Sequence, residues 1–361
     1  MTRRLRIVQL IPSLVVGGAE VLATQLAQAQ LTLGHHVDLV CVSHGGPLED
    51  RLDGELAANT HIVGKQHRFD ASVLGRLIAL LRRLKPDVVH THLFTSHAWG
   101  TVAARAAGVP VIMHTQHACH DDEYAYLPWV RRVLSLGVHT VVGCSSATVH
   151  DLVQRRYAPF SRTHCIENGI PLTGRPRSNL NGQPLQLVTV GRMVEVKGQT
   201  YLIDALRQVL DQGLKAHLTL IGDGDLRPDL ERQCHDLGLD EHVTFTGRVS
   251  DVATHLASKD LFVLPSLSEA LPMALLEAGA AGLPMLVTTG GGGPTLLEAG
   301  AGGWAVPPAD AGALAARILD YGALSPTQRR ALGEQTYALV HERYSIDATA
   351  RAYVDLYTSA L

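Results

Sequence analysis

The sequence predicts an α/β protein built from two doubly wound domains, and three observations support this fold class. The chain has 361 residues, which is more than one ordinary core needs and suits two domains of about 150 to 200 residues each. Short apolar runs alternate with helix-length segments along most of the chain, which is typical of parallel sheets covered by helices. A stretch rich in Pro, Gly, Asn and Ser, residues 171–184, interrupts this alternation once and indicates a linker.

The first domain, residues 1–172, begins with the apolar run RIVQLI. Further runs of this kind predict six strands in all, over residues 6–11, 36–42, 87–92, 110–116, 138–145 and 162–170. Helices are predicted from Ala19 to about Leu33, up to Lys85 and up to Ala107. This order of strand and helix predicts a parallel sheet with helices on both faces.

The second domain, residues 173–345, repeats the alternation after the linker. We predict strands over residues 185–191, 217–224, 243–247, 261–266 and 284–289. A final helix, residues 346–361, is expected to pack back on the first domain. Two doubly wound domains would place the carboxyl ends of their strands on either side of a cleft, where ligands bind in such folds, so we expect the function there.

The composition excludes several classes of protein. Hydrophobic residues make up 46% and charged residues 18% of the chain, which is enough apolar material for two cores and argues against a disordered chain. The formal net charge of −3 argues against nucleic acid as the main partner, because proteins that track phosphates carry a basic excess.

Cysteine usage and the amino-terminal segment bear on the cellular compartment. The five cysteines are widely spaced and form no C-x-x-C pair, which fits a reducing cytosol better than a disulfide framework or a zinc knuckle. The basic and apolar start is interrupted by Pro12 and Gly17, so we interpret it as a strand rather than a secretory signal. No apolar run approaches the roughly 20 residues of a membrane-spanning helix. We therefore expect a cytoplasmic protein.

The most informative segment, SEALPMALLEA at residues 268–278, follows the predicted strand 261–266. Pro272 suits the first turn of a helix, which places Glu269 in the loop before it and Glu277 on its second turn. The helix start at Leu271, Pro272 and Met273 has free backbone N–H groups, except on Pro272 itself, and these can hold a phosphate. Glu269 can then accept hydroxyl hydrogens, and Glu277 can take a ribose diol.

A second segment, VGRMVEVKG at residues 190–198, begins where the first predicted strand of the second domain ends. Arg192 offers a planar fork of donors and Lys197 a point charge. Together with the backbone at Gly191, they could neutralise a leaving nucleotide diphosphate.

These two segments resemble the motifs of the retaining glycosyltransferases of family 4, and the resemblance extends over the whole chain. The Glu-x7-Glu pattern of Glu269 and Glu277 is the most specific mark of that family. The resemblance implies the GT-B fold, two Rossmann-like domains facing across a cleft, and a UDP- or GDP-linked sugar donor. It assigns the diphosphate to Arg192 and Lys197. The chain departs from the family at Ala270, where glycine is common, and at Thr295, where glutamate often follows the proline.

In the first domain, Gly17 and Gly18 open a helix directly after the first strand, so their backbone can approach a phosphate of the donor. The Thr-x-His segment ending at His117 matches the family segment whose histidine approaches the donor sugar. The resemblance therefore places His117 at the reacting centre with Arg192, Lys197 and Glu269 of the second domain. His92 and His114, at neighbouring strand ends, are predicted to shape the acceptor pocket.

Weaker matches complete the predicted site. Gly222 and Gly224 end a strand, and Val249 follows another where the nucleotide should lie, which favours backbone contacts to the donor. Asn168 and Gly169 precede the linker, as the hinge segment of the family does.

The resemblance implies retention of the anomeric configuration, and no enzymic nucleophile is well placed in the sequence. We therefore expect the diphosphate oxygen to deprotonate the incoming hydroxyl, with Arg192, Lys197 and the helix start neutralising the leaving charge. No cofactor or metal ion is expected. The acceptor is expected to be a glycan or polyprenyl-linked sugar in bacterial polysaccharide or glycoconjugate biosynthesis. The amphipathic segments 71–85 and 126–134 could rest on an anionic membrane on its inner face, although packing on the sheet explains them equally well.

Two other functions stay open from the sequence. A sugar-nucleotide epimerase could use the same fold and donor. A metal-dependent hydrolase could use His90, His92, His114 and His117, together with residues 120–122, as ligands for Zn²⁺, but it would leave the second domain without a role.

Overall fold

A computed structural model describes residues 3–67, 70–117, 127–172, 184–249, 251–290 and 292–361. Contacts divide the chain into two compact units. The first consists of Met1–Pro171 and Ser345–Leu361, and the second of Leu172–Tyr344. None of the helices in the described ranges has the length and apolar character that a bilayer crossing requires.

The first unit contains a seven-stranded parallel sheet covered by helices. The strands are β1 (Arg6–Ile11), β2 (His36–Cys41), β3 (Thr60–Ile62), β4 (Val88–His92), β5 (Val111–Gln116), β6 (Thr140–Gly143) and β7 (Thr163–Cys165), in the order β3-β2-β1-β4-β5-β6-β7. The helices are α1 (Gly18–Thr32), α2 (Gly54–Ala58), α3 (Ser72–Leu84), α4 (Leu93–Ala107), α5 (Leu127–Leu136) and α6 (Ser146–Gln154). The central strands are buried on both faces, which explains their continuous apolar sequence.

Helix α3 illustrates how the sequence defines these elements. Val73, Leu77 and Leu81 recur every fourth residue and are buried in the core of this unit, as expected for one face of a helix. The helix ends where Lys85 adopts a left-handed backbone with φ 48°, directly before Pro86. For residues 71–85 the structure therefore shows packing in the core of the unit, which was the alternative to contact with a membrane.

The second unit contains a six-stranded parallel sheet. Its strands are β8 (Leu185–Val190), β9 (Ala216–Ile221), β10 (Val243–Gly247), β11 (Leu261–Leu264), β12 (Met285–Thr288) and β13 (Gly303–Val306), in the order β10-β9-β8-β11-β12-β13. Its helices are α7 (Gln199–Asp211), α8 (Arg227–Asp236), α9 (Val252–Leu256), α10 (Met273–Ala280), α11 (Thr295–Glu298), α12 (Ala311–Ala323) and α13 (Pro326–Arg343). Apolar side chains from β8, β9, β11, α7 and α12 form the core.

The helix α14 (Ile346–Ala360) belongs to the first unit although it follows the second in the chain. Its first N–H group, on Ile346, donates to Ile170 O at 2.9 Å, and the helix packs along α1. At Gly169 a Cβ would lie 2.6 Å from Ser345 O, so this close approach needs glycine.

The structure confirms the predicted doubly wound α/β class, with corrections at particular elements. The short edge strands β3 and β13 were not predicted, and β7 covers only part of the predicted strand 162–170. Pro272 is the residue before α10 rather than a member of its first turn. The strand order reverses between β1 and β4 in the first unit and between β8 and β11 in the second, and ligands of such sheets bind at these switch points.

Candidate functional site

An ion pair joins the two strand ends at the switch point of the second unit. Lys197, in the loop after β8, donates from Nζ to Glu269 Oε1, in the loop after β11. The two side chains are 20% and 12% exposed, so the pair is mostly buried but keeps some contact with solvent. Ser266 Oγ donates to the same carboxylate oxygen at 2.9 Å. Two predicted catalytic residues are therefore in direct contact.

Backbone contacts hold the loop that carries Lys197. At Gly198 the backbone is left-handed with φ 63°, and a Cβ there would lie 2.2 Å from Pro265 O, so only glycine fits. The buried Gln199 side chain donates from Nε2 to Arg192 O at 2.9 Å. The Arg192 residue is exposed, which leaves its guanidinium accessible to a ligand.

A glycine-rich loop clamps the backbone of Glu269. The Glu269 N–H donates to Gly290 O at 2.9 Å, and the Gly292 N–H donates to Glu269 O at 2.8 Å. A Cβ at Gly292 would lie 1.2 Å from Ala270 O, so no larger residue could make this contact. These glycines had no predicted role, although Gly290, Gly292 and Gly293 form a cluster in the sequence.

Gly222 and Gly224, predicted to bind the donor, pack against the loop after β8. Gly222 has φ 134°, and a Cβ there would lie 2.0 Å from Gly191 O. A Cβ at Gly224 would lie 2.4 Å from Met193 O. This packing of two loops accounts for both glycines, and their contact with a donor stays a prediction.

The remaining predicted donor residues follow Glu269 or lie beyond β10. Leu271 and Met273 are 3% and 8% exposed, so a ligand could meet their backbone but hardly their side chains. Glu277 is half-buried on the second turn of α10, as predicted. Val249 is half-buried beyond the end of β10.

In the first unit, the switch point carries a pair of histidines. His92 ends β4, and its Nδ1 lies 2.9 Å from His117 Nε2. The two rings are stacked with centroids 5.2 Å apart. Directly after His92 the chain turns sharply at Leu93, whose φ of 65° is unusual for a bulky residue. Ser96 Oγ donates to His92 O across this turn.

Buried polar side chains extend this pair into the interior. His92 Nε2 lies 2.7 Å from Gln9 Oε1, and Gln9 Nε2 lies 3.3 Å from Tyr357 Oη on α14. Tyr357 Oη lies 2.7 Å from His90 Nδ1. We call these residues, together with Gln30, Thr115, His117 and Tyr353, the His–Tyr network. Only the histidines of this network had a predicted role. No local spacing reveals the network, because β1, β4, β5 and α14 are far apart in sequence.

Burial keeps the histidines of this network neutral. The pKa of His92 lies well below its usual value because of desolvation, with a smaller contribution from neighbouring histidines. The same two causes lower the pKa of His90, and burial lowers the pKa of His117 to about 4. At neutral pH each ring therefore has one N–H donor and one bare nitrogen.

His114 and the glycines after β1 lie apart from this network. His114 is buried, stacks on His97 with ring centroids 3.8 Å apart, and bonds through Nδ1 to Thr91. These are the surroundings of a core histidine, and the predicted acceptor pocket at His92 and His114 stays a prediction. Gly18 begins α1, and a Cβ at Gly17 would lie 2.4 Å from the Glu20 carboxylate.

Among the residues that the structure describes, no three His, Cys, Asp or Glu side chains are arranged to hold a metal ion. Residues 120–122, which the hydrolase alternative would use, lie outside the described residues.

Comparison with known proteins identifies the relatives of both units. A sequence model described as Glycosyltransferase Family 4 matches residues 16–173, and one described as Glycosyl transferases group 1 matches residues 184–322. The chain is 27% identical over 280 residues to the UDP-Gal:alpha-D-GlcNAc-diphosphoundecaprenol alpha-1,3-galactosyltransferase of Escherichia coli, covering 70% of this chain and 71% of that protein. It is 27% identical over 249 residues to the alpha-monoglucosyldiacylglycerol synthase of Streptococcus pneumoniae, covering 62% of this chain and 56% of that protein.

Solved structures resemble the chain over nearly its full length. Anabaena Alr3699/HepE in complex with UDP-glucose superposes with a TM-score of 0.84 at 20% identity, covering 99% of this chain and 100% of that one. A glycosyltransferase from Rickettsia africae ESF-5 superposes with a TM-score of 0.82 at 20% identity, covering 99% of each chain. These likenesses confirm the GT-B fold expected from the sequence.

Proposed function

Because the chain belongs to the family 4 glycosyltransferases, we propose that it transfers a hexose-type sugar from a UDP- or GDP-linked donor to a glycan or lipid-linked acceptor. In this proposal the second unit binds the donor, the first unit binds the acceptor, the anomeric configuration is retained and no metal ion takes part. The main support is the Lys197–Glu269 pair at the β8/β11 switch point, where a cation, a carboxylate and a helix start come together.

Donor binding would rearrange this ion pair. A diphosphate carries more negative charge than one carboxylate, so Lys197 would move from Glu269 to the phosphates while the exposed Arg192 binds them from solvent. Glu269, released from the lysine, would accept hydrogen bonds from sugar hydroxyls. Backbone N–H groups at the start of α10 would hold a phosphate, and Glu277 would take the ribose diol.

The proposed reaction proceeds on one face of the sugar. The bond from the anomeric carbon to the diphosphate oxygen breaks, and the bond to the acceptor oxygen forms on the same side. The acceptor proton passes to the departing diphosphate oxygen, so the products are the glycoside and the nucleoside diphosphate. Lys197, Arg192 and the helix start would stabilise the leaving charge, while neutral His117 contacts a hydroxyl of the reacting sugar.

The names of relatives indicate the class of substrate. The Escherichia coli relative is named for a UDP-linked galactose donor and a diphosphoundecaprenol-linked acceptor, and the Streptococcus pneumoniae relative for a glycosylated diacylglycerol. The first name gives a lipid-linked sugar as the acceptor and the second a glycosylated lipid as the product, so both reactions involve a lipid. We therefore favour a lipid-linked acceptor in polysaccharide or glycoconjugate biosynthesis.

A donor screen followed by product analysis tests this function. Thermal unfolding with UDP-, GDP- and ADP-sugars should identify one donor by an increase in Tm. Transfer to a prenyl-diphosphate-linked sugar should then give a product whose anomeric proton coupling matches that of the donor, with undiminished rate in EDTA. Inversion would contradict the retaining mechanism, and a rate that EDTA abolishes and Mg²⁺ restores would contradict metal independence. Conversion of the donor alone into its epimer would favour the epimerase instead.

An exposed apolar face on α5 supports membrane association of the first unit. Trp129, Val133 and Leu136 are 69%, 45% and 67% exposed and recur at helical spacing on one face. Phe160 is 75% exposed, two residues before Arg162, whose guanidinium donates to Val138 O just beyond the end of α5. Arg132 of α5 donates to Arg155 O, directly after α6, at 2.8 Å.

The charges around this face favour an anionic bilayer as its partner. Arg132 and Arg156 are exposed, whereas Arg155 pairs with Asp151. Aromatic and aliphatic side chains with a basic rim match the boundary between lipid headgroups and acyl chains. We propose that this face holds the enzyme on the membrane that carries its acceptor.

Flotation with vesicles tests the membrane surface directly. Vesicles with about 30% phosphatidylglycerol should carry the protein upward, because their anionic surface attracts the two exposed arginines. Vesicles of pure phosphatidylcholine should carry less of it. Trp129→Ser with Phe160→Ser should abolish flotation, whereas Val102→Ser, which removes an exposed valine from α4 outside this face, should not. Equal flotation of all three proteins would refute this surface.

A further inference from the structure

We propose that Tyr357, acting through Gln9 and His92, is a positioning residue that holds His117 in the tautomer whose Nδ1 can accept a hydrogen bond from a substrate hydroxyl. This inference deepens the proposed function and rests on it, because it assumes that His117 acts at the reacting sugar. Its basis is a continuous chain of hydrogen bonds from α14 to His117 within the first unit.

The direction of these hydrogen bonds begins at the Tyr357 hydroxyl, which has three polar neighbours. The amide nitrogens of Gln9 and Gln30 both lie 3.3 Å from its oxygen, and His90 Nδ1 lies at 2.7 Å. Amide nitrogens only donate, so the phenol oxygen accepts from both. The single phenol hydrogen is therefore directed to His90 Nδ1.

The same logic continues from Gln9 to His117. Gln9 Nε2 also donates to Gln30 Oε1 at 2.9 Å, so its amide oxygen is the group that faces His92. His92 Nε2 lies 2.7 Å from that oxygen and must donate to it. A neutral imidazole has one N–H, so His92 Nδ1 is an acceptor, and His117 Nε2 at 2.9 Å donates to it. The lone pair of neutral His117 is then on Nδ1.

Reversing the whole chain would lose a hydrogen bond. If both amides were turned over, the oxygens of Gln9 and Gln30 would each lie 3.3 Å from Tyr357 Oη, at the positions that the nitrogens now occupy. The phenol has one hydrogen and could donate to only one of them. The other contact would bring two oxygen atoms together without a hydrogen in a fully buried place, which is unfavourable.

The surroundings of His117 are consistent with an Nδ1 that accepts a hydrogen bond from a ligand. In the ranges described by the structure, no group forms a hydrogen bond with its Nδ1, whereas its Nε2 is bound to His92 and its carbonyl faces the Cys144 thiol. His117 is half-buried, while His92 is fully buried. The chain therefore ends at the one histidine of the His–Tyr network that is partly exposed.

Tyr353 provides a matched comparison on the same helix. It lies one turn before Tyr357, is equally buried, and its hydroxyl is 3.0 Å from Thr115 Oγ1. Thr115 Oγ1 in turn lies 2.7 Å from His90 Nε2. Tyr353 is thus at the far end of the chain, beyond His90, and the proton order between Tyr357 and His117 does not depend on it.

Nitrogen NMR of the full-length protein, with ¹⁵N-labelled histidine and no substrate, tests the proton order. Resonances of His92 and His117 are assigned by their loss in His92→Asn and His117→Asn. We expect the Nε2–H tautomer for both rings in the wild type and in Tyr353→Phe, and a mixture of tautomers in Tyr357→Phe. An Nδ1–H form of His117 in the wild type, or an unchanged tautomer in Tyr357→Phe, would overturn the proposal.

Turnover then tests the consequence for catalysis. Tyr357→Phe should lower kcat about tenfold with little change in the donor KM, because the loss of one ordering hydrogen bond weakens an interaction made at the reacting sugar. Tyr353→Phe should stay within about twofold of wild type. Equal kcat values for the two variants, at matched Tm, would overturn the positioning role. If no donor is turned over at all, the proposed function fails, while the tautomers measured without substrate still decide the proton order.

Discussion

The two switch points of this protein occupy equivalent places in two similar sheets but use opposite chemistry. At the β1/β4 junction of the first unit, the polar side chains are neutral, buried and joined by hydrogen bonds that cross from the sheet to α14. At the β8/β11 junction of the second unit, Lys197 and Glu269 carry opposite charges and stay partly exposed. The same reversal of strand order therefore carries different side chains in the two units.

The difference also concerns how easily each arrangement changes. An ion pair near solvent can exchange a carboxylate for another anion, because water lowers the energy of each charge during the exchange. A buried chain of hydrogen bonds cannot lose one partner without leaving a polar group unsatisfied. The second unit is therefore suited to binding and releasing a charged group, and the first to holding an uncharged one in a fixed orientation.

Acidification should affect the first unit most and is the largest effect that we expect. Burial lowers the pKa of His97 to about 3 and those of His90 and His92 well below their usual value. Below pH of about 6.5 these histidines bind protons only when the protein unfolds, so each should lower the free energy of unfolding by about 1.4 kcal/mol per pH unit. For His97 this loss should continue down to its pKa in the folded protein. Denaturant unfolding between pH 7.5 and 5 measures the slope.

One variant sharpens this measurement. His97→Gln should reduce the slope by about 1.4 kcal/mol per pH unit, since it removes one buried ring that binds a proton only on unfolding. A pH-independent free energy of unfolding in the wild type would contradict the neutral character of the first site.

Removing the cation of the second site should have the next largest effect. Lys197→Ala should lower kcat by at least roughly a hundredfold, because single preorganised groups that stabilise developing charge contribute this much. Steady-state kinetics with the donor found by thermal unfolding measure it. Lys215→Ala, which removes an exposed lysine from the same unit, is the control and should behave as wild type. An unchanged kcat in Lys197→Ala would remove this residue from the site.

Removing the charge of Glu269 should have the smallest of these effects, and the direction of the change in affinity is its most informative feature. Glu269→Gln should bind the nucleoside diphosphate about fivefold more tightly, since a partly exposed ion pair no longer competes for Lys197, while transfer becomes slower. Calorimetric titration measures the affinity. Glu231→Gln breaks the exposed pair with Arg227 in the same unit and should leave the affinity unaltered. Weaker binding in Glu269→Gln would show that the carboxylate does not compete with the ligand.

The sequence was sufficient for the fold class, because apolar strands of a parallel sheet are buried on both faces and stand out from amphipathic helices. It was not sufficient for β3 and β13, which have three and four residues at sheet edges with partly exposed side chains. Such edge strands have neither the length nor the apolar pattern that reveals central strands.

The site could be predicted only where its residues are close in sequence. Lys197 and Glu269 were each predicted to act at a diphosphate sugar, but their contact depends on β8 lying beside β11, which strand order alone decides. Tyr357 and Gln9 are 348 residues apart and carry no shared motif. A glutamine in the middle of the apolar run RIVQLI was the one available signal, because a buried amide needs polar partners.

The return of α14 to the first unit has a consequence for biosynthesis. A chain emerging from the ribosome presents the whole sheet of the first unit and all of the second unit before Tyr353 and Tyr357 are made. Until then His90, Thr115 and the paired glutamines lack their phenol partners, so the amino-terminal unit can collapse but cannot complete its interior. Translation therefore places the synthesis of the second unit ahead of the final step in the folding of the first.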